Sequence, residues 1–510
     1  MSSSPPPPPP PSYPQPPTSR RVRATDAPVV AETKALVAAC DRTDVVSLAQ
    51  GVVHWPPPPA AMRAAARLAA EAARGGPQAA LLHAYGPTPG WAPLRRALAR
   101  KMGRMGLAGY QPVVTPGANC AFTVALLALC DETDPVALFP PLYFNHAMSV
   151  QMTGGSARLM VAPLSPDLRP ELDWLERVCA SPNPSDRPRV AVLVNPSNPT
   201  GVVLSREELD RAARATAEAG AWLVVDGTYA DFAYGDGNGG GGPRHYCPRG
   251  PNVVHVFSMS KAYGMMGWRV GWLALPPPPP EEEGGRRRQG EEAQQQGSGG
   301  GGGSGAGEAE AEAEAGAEDL GDGGALMSEI LKVQDSVPIC ATQLSQVIAL
   351  AALEGEAAAL AAVGLGADAD AAAAVPADES AADFGDAYVA ARVADLARHN
   401  RPAVRAALSA ALGDAGAVLG GDGGIFLFIK LPAPFGERAR ARASGDDDVI
   451  AWLLRRSGVC VLPGSACAAP GYLRVAFANL PAEACAEAAG RLAEGLAELV
   501  RRGPGALDDY

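Results

Sequence analysis

The sequence predicts an α/β protein with a large domain on a mostly parallel central sheet, a smaller α+β domain after it, and low-complexity loop insertions. Three observations carry this. Short β-branched apolar runs alternate with helical stretches through the first half of the chain. Past about residue 387 strands and helices no longer alternate regularly. Tracts of Pro, Gly, Ala and acidic residues interrupt the pattern, with too little apolar surface to offset the entropy of ordering.

In order, Val113–Thr115 reads as a strand and Ala118–Cys130 as an apolar helix. Pro135–Phe139 is a strand, followed by a helix near Phe144–Thr153. Arg189–Val194 is a strand. Ser205–Ala219 is a helix opened by a serine cap with Glu208 three residues on. Ala221–Val225, Val253–Phe257 and Val270–Leu275 complete the set of short strands. Beyond them come a helix over Tyr388–Leu412, strands at Ile425–Leu431 and Tyr472–Phe477, and helices at Asp447–Ser457 and Pro481–Arg501.

A chain of 510 residues exceeds one compact core, so two packed domains are expected. The division reads as a disordered Pro/Ser-rich tail (1–24), a segment joining the small domain (25–60), a large domain (61–275 and 325–360) and a small domain (387–510). Two inserts, 276–324 and 361–386, and a shorter run at Gly235–Gly242 read as surface loops, which tolerate added length at little cost. The net charge of −12 resides in the two longer inserts, and the remainder is close to neutral. Neither nucleic acid nor a membrane is expected as a partner. No apolar run reaches membrane-spanning length. The nine cysteines form no C-x-x-C pair, and the six histidines are isolated, so no metal is expected. A cytoplasmic location is the expectation. The alternative is a plastid transit peptide, suggested by Arg20, Arg21 and Arg23 in a start free of acids up to Asp26.

Chemistry gathers at strand ends. Lys261 lies in the loop after a buried strand, where open α/β sheets bind ligands, and a lysine there can form an imine with an aldehyde cofactor. Arg269, eight residues on, is placed to pair with a phosphate, with Ser258 and Ser260 nearby. Alone, these residues read equally well as surface charges beside a Gly-rich turn. Asp226 ends the strand Trp222-Leu223-Val224-Val225, where an acid can hold a pyridine nitrogen protonated or cap the next helix. Tyr229 follows three residues later, placed to donate to the ring's phenolic oxygen. Asn195-Pro196-Ser197-Asn198-Pro199-Thr200-Gly201 forms a rigid turn after another strand, with Asn198 facing the same oxygen. Gly117, Ala118 and Asn119 open a helix whose backbone N–H groups suit a phosphate.

Together, the NPxNPTG, VVDxTY and SKxxGMxGWRxG stretches resemble the fold-type-I, class I/II aminotransferases over about residues 43–494. Further stretches, among them Ser47–Val53, Pro141–Asn145, Lys332–Cys340 and Pro470–Val475, are similar to plant cytosolic aromatic aminotransferases that act on indole-3-pyruvate with methionine as amino donor. The resemblance implies the fold type I of pyridoxal-phosphate enzymes, with pyridoxal 5′-phosphate carried on Lys261 as the catalytic residue. It implies that Tyr143 stacks on the cofactor ring and that Tyr85 reaches the phosphate of the neighbouring subunit of a homodimer. Gly51, Asn198 and Arg474 would contact the substrate, Arg474 clamping its α-carboxylate. Trp55 and Tyr143 are candidates for an apolar wall. Two departures stand out: Gly227 replaces the usual Asn after Asp226, and His54 replaces an aromatic residue.

The reaction implied is transamination between an aromatic amino acid or methionine and a 2-oxo acid such as indole-3-pyruvate or phenylpyruvate. Fold and cofactor alone leave open a C–S β-lyase or a cyclopropane-forming synthase. A cofactor-sensing regulator would need a DNA-binding segment, and no helix-turn-helix pattern or basic helix is present.

Overall fold

The computed structural model describes residues 15–75, 77–234, 245–278, 324–365, 380–441 and 446–508. Its large sheet contains β2 (Gln111–Thr115), β3 (Val136–Leu138), β4 (Leu159–Val161), β5 (Val190–Val194), β6 (Trp222–Asp226), β7 (Val253–Ser258) and β8 (Gly271–Leu275). The strand order is β2-β8-β7-β6-β5-β3-β4. β8 runs antiparallel to both neighbours and every other pairing is parallel. The strands read as continuous apolar runs because helices cover both faces. Val190 and Val192 join one core cluster with helix Ala118–Leu129, while Ala191 and Leu193 join another with helices Leu172–Cys179 and Arg206–Glu218. The last helix has both halves of its capping box, Ser205 Oγ accepting from the Glu208 amide and Glu208 accepting from the Ser205 amide.

A second, antiparallel sheet follows: β9 (Val418–Leu419), β10 (Phe426–Lys430), β12 (Leu462–Pro463) and β13 (Tyr472–Ala476), in the order β12-β13-β10-β9. β1 (Val46–Ser47) pairs in parallel with β11 (Val459–Cys460), so an early segment is held by a late one.

Four expectations change. The helix expected over 388–412 is two helices, Gly385–Arg398 and Asn400–Leu412. Pro402 has no N–H for the carbonyl four residues back, and buried Asn400 donates instead to the Phe477 and Leu480 carbonyls at 2.8 and 2.9 Å. β4 was not expected; it has three residues, none of them buried. The tail expected to be disordered through residue 24 contains the helical turn Arg20–Arg23, packed on helix Phe144–Gly154. Just beyond it, Asp26 and Gln151 exchange hydrogen bonds of 3.0 and 2.8 Å. The insert expected over 361–386 is anchored at its far edge: Asp383 pairs with Arg63 at 3.3 Å, and Asp386 with Arg104 at 3.0 Å.

Residues 1–14 of the tail, the Gly235–Gly242 run, 279–323 of the first insert and 366–379 of the second lie outside the described residues. The flanks of the first insert meet, since a Cβ on Gly324 would lie 2.8 Å from the Cβ of Pro278.

Candidate active site

The parallel strands bring their carboxyl ends to one edge, and the residues after them face a cavity of about 600 Å³. Asp226 ends β6, Asn198 lies in the turn after β5, and Lys261 sits three residues past β7. Ala118 and Asn119 open the helix after β2, and Tyr143 precedes the helix after β3. Arg269 reaches the same edge because β8 starts there and runs back. These residues line the cavity with Gly51, Tyr229, Ser258, Ser260 and Arg474.

Lys261 Nζ donates to the Gly51 carbonyl. Burial, reinforced by the charges of Arg474 and Arg269, brings its amine down to about 8. Asp226 is buried, and burial works against its ionisation. A 3.0 Å contact with His146 Nε2 and a 2.9 Å hydrogen bond from the Thr228 amide outweigh it and hold the carboxyl below its usual range. Burial raises the hydroxyls of Tyr143 and Tyr229. Asn145 Nδ2 donates to the Tyr143 oxygen at 2.8 Å. Arg474, 3% exposed on β13, donates to Asn198 Oδ1 at 2.9 Å and to the Ala49 carbonyl at 2.6 Å. Its guanidinium lies 4.4 Å from the centroid of the Phe426 ring. Its buried Nε has no hydrogen-bond partner, which suits a site awaiting an acceptor.

Gly117 does not line the cavity but shapes the end where Arg269 lies. Its φ is +87°, and a Cβ there would lie 2.2 Å from Arg269 Nη2. Arg269 donates to the Met266 carbonyl at 2.9 Å. A Cβ at Gly227 would meet Phe257 Cε1 at 2.5 Å, so an Asn there would require that ring to move. Tyr85 is 82% exposed and does not line this chain's cavity.

Trp55 is not a cavity wall. It is buried, stacked 6.3 Å from Phe232, with its indole N–H donating to the Ala262 carbonyl at 3.3 Å. His54 also lies off the cavity, against the Ala478 carbonyl at 3.1 Å. Two features escaped the sequence reading. His146 belongs to no motif, and its ring packs 4.1 Å from that of Phe122. Helix Val29–Ala38 lines the mouth through Val30, Thr33, Lys34 and Val37, the i, i+3, i+4, i+7 face of a helix. That spacing was the available clue.

Sequence comparisons give the class and structure comparisons the fold. The profile of the family "Aminotransferase class I and II" matches residues 43–492, and the chain belongs to that family. It is a pyridoxal-phosphate-dependent aminotransferase. It is 36% identical over 486 residues to the aromatic aminotransferase ISS1 of Arabidopsis thaliana, covering 95% of this chain and 98% of that protein. It is 32% identical over 216 residues to the methionine aminotransferase of Escherichia coli, covering 41% of this chain and 52% of that protein. The solved aspartate aminotransferase from Thermus thermophilus with maleate superposes with a TM-score of 0.66 at 21% identity, covering 94% of this chain and all of that one. This last likeness speaks to fold alone.

The residues fit the cofactor: an acid kept ionised for a pyridine nitrogen, a lysine brought near neutrality, and a helix start beside an arginine with no room for a Cβ. Among the described residues no helix is long and apolar enough to cross a membrane.

Proposed function

We propose that this enzyme transaminates aromatic amino acids and methionine against 2-oxo acids such as indole-3-pyruvate or phenylpyruvate. The observation that carries the reading is the lining of the cavity. Arg474 is a buried cation, while Val30, Val37, Val52, Phe144 and Leu462 give the same cavity apolar lining. Lys34 also lines the mouth but is exposed, so its pull on a second carboxylate is screened. A dicarboxylate would lose hydration there without a buried partner for its distal charge. The names of the Arabidopsis and Escherichia coli relatives support the same substrates.

When bound, pyridoxal phosphate supplies an electron sink for the carbanion left at the substrate α-carbon. Lys261 Nζ, near neutrality through burial, takes the α-proton and returns it as general base and acid. Asp226 holds the pyridine nitrogen protonated, with His146 keeping Asp226 ionised and oriented. Asn198 and Tyr229 serve the phenolic oxygen and Tyr143 the ring face. Ser258, Arg269 and the N–H groups of Ala118 and Asn119 serve the phosphate, while the Gly117 N–H is taken by the Thr115 carbonyl at 2.7 Å. Arg474 clamps the α-carboxylate beside Gly51.

The assembly in this reading is a cytoplasmic homodimer in which Tyr85 completes the partner's site. In support, Leu81, Tyr85, Val337 and Ile339 are exposed and apolar, and Gly86 and Cys340 bring their two loops together. Residues 25–60 go with the small domain at 387–510, and 61–275 with 325–360 form the large one, with 276–324 and the core of 361–386 as insertions. A screen of amino donors paired with 2-oxo-acid acceptors tests the function. Tryptophan, tyrosine, phenylalanine and methionine should exceed aspartate and glutamate. Ammonia release without an acceptor would instead establish a lyase.

A further inference from the structure

Lys101 is a buried charge beside the site that the reaction does not use. Helix Ala92–Arg104 buries Leu94, Ala97, Leu98 and Met102, and Lys101 falls on that same apolar face, 5% exposed. Its ammonium lies 2.7 Å from Asp231 Oδ1, 3.5 Å from Asp386 Oδ1 and 5.5 Å from the centroid of the Tyr263 ring. Burial alone pushes a lysine toward neutrality; here Asp231, Tyr263 and Asp386 hold it charged. His245, pushed down to about 4 mainly by burial, faces the same group of charges and contacts the Asn195 carbonyl at 3.1 Å.

The partners share a place in the chain. Asp231 lies two residues past Tyr229, and Tyr263 two residues past Lys261. Asp386 sits in the first turn of helix Gly385–Arg398, which leads into the second sheet, and is bridged to Arg104. The Tyr229 hydroxyl forms no hydrogen bond among the described residues. Its ring is held by packing 5.5 Å from Phe426 and 6.1 Å from Phe232. The backbone of its turn helps set where that hydroxyl points; the Ala230 and Phe232 amides close the turn on the Gly227 and Tyr229 carbonyls, and the Lys101–Asp231 ion pair anchors it to helix Ala92–Arg104. The Tyr263 hydroxyl is buried without a hydrogen-bond partner, and the Lys101 ammonium 5.5 Å from its ring centroid attracts the ring face.

We propose that Lys101 is a positioning residue for transamination, one ammonium tying the turn that carries Tyr229 to the loop that carries Lys261. This rests on the assignment of those two residues to the cofactor. An ångström of misplacement in such a group costs about 100-fold in rate.

The test uses holoenzyme of Lys101→Met, Lys101→Arg and Asp231→Asn. Four quantities are read: kcat, KM, the melting temperature, and the pH midpoint at which the cofactor's visible absorbance changes. In Lys101→Met and Asp231→Asn, kcat should fall about 10–100-fold with KM changed less than about threefold. The absorbance midpoint should move by at least about half a pH unit. Lys101→Arg should restore most of both. An unmoved midpoint in either soluble variant overturns the proposal, whether or not the melting temperature falls, because lost stability alone would leave the cofactor's surroundings as they were. Should Lys101→Met fail to fold, Asp231→Asn decides. A wild-type enzyme without a visible band would count against the assignment of Lys261, and is read first.

Discussion

Replacing Asp226 with Asn tests the centre of the chemistry with little change of shape. The carboxylate is buried, kept ionised by His146 and the Thr228 amide, and opens onto the cavity. In the proposed role its charge would stabilise a protonated ring nitrogen, most strongly with both held out of water. Breaking one side of a buried, hydrogen-bonded charge pair costs about 3–5 kcal/mol. At about 1.4 kcal/mol per decade, that is roughly 10²–10⁴-fold in the chemical step. The assay is a single-turnover measurement with tryptophan, alongside a cofactor-binding titration so that weakened binding is not read as slowed chemistry. The Asn variant should hold its fold, since the amide retains an oxygen to accept from Thr228. Turnover within about tenfold of wild type, a barrier change of only about 1.4 kcal/mol, would refute the assignment.

Lys261→Ala should abolish turnover while still binding the cofactor non-covalently, and borohydride should label Lys261 in the wild type. Covalent capture of the cofactor by cofactor-free enzyme should rise about tenfold per pH unit up to the amine's value of about 8, then level off. The unfolded chain keeps that proton up to 10.5, so this group adds stability to the cofactor-free protein as pH rises from about 8 to 10.5, measurable by denaturant melts. Replacing 279–323 with a short Gly/Ser link should leave kcat and melting temperature nearly unchanged, because Pro278 and Gly324 already meet; loss of folding on deletion would contradict this. If Tyr85→Phe is severely impaired, mixing it with Lys261→Ala should yield hybrids with one restored site, and full activity in a monomeric preparation would count against the homodimer.

Groups whose place follows from a strand end were legible. Lys261, Asp226 and Asn198 each follow a run of buried apolar residues, and parallel strands bring such ends together whatever lies between them. His146 was not legible because its part depends on facing Asp226 across the sheet edge, a relation no local spacing encodes. Trp55 was misplaced because an apolar ring suits a cavity wall and a packed core equally well. The helix Val29–Ala38 lies more than two hundred residues from Lys261, and nothing near it names its neighbour. The expected outer limit of the second insert failed because low apolar content conceals anchoring by charge, as at Asp383 and Asp386.

The pairing of β1 with β11 has a consequence for how the protein is made. Arg474 and the Ala49 carbonyl are 425 residues apart. At about 5–20 residues per second, a ribosome needs roughly 20–85 s to deliver one after the other. Throughout that time Leu48, whose N–H and carbonyl pair with Cys460 and Ala476 in the finished molecule, lacks those partners. A nonsense codon between residues 276 and 459 leaves β1 unpaired for good in a product that already holds every strand of the large sheet.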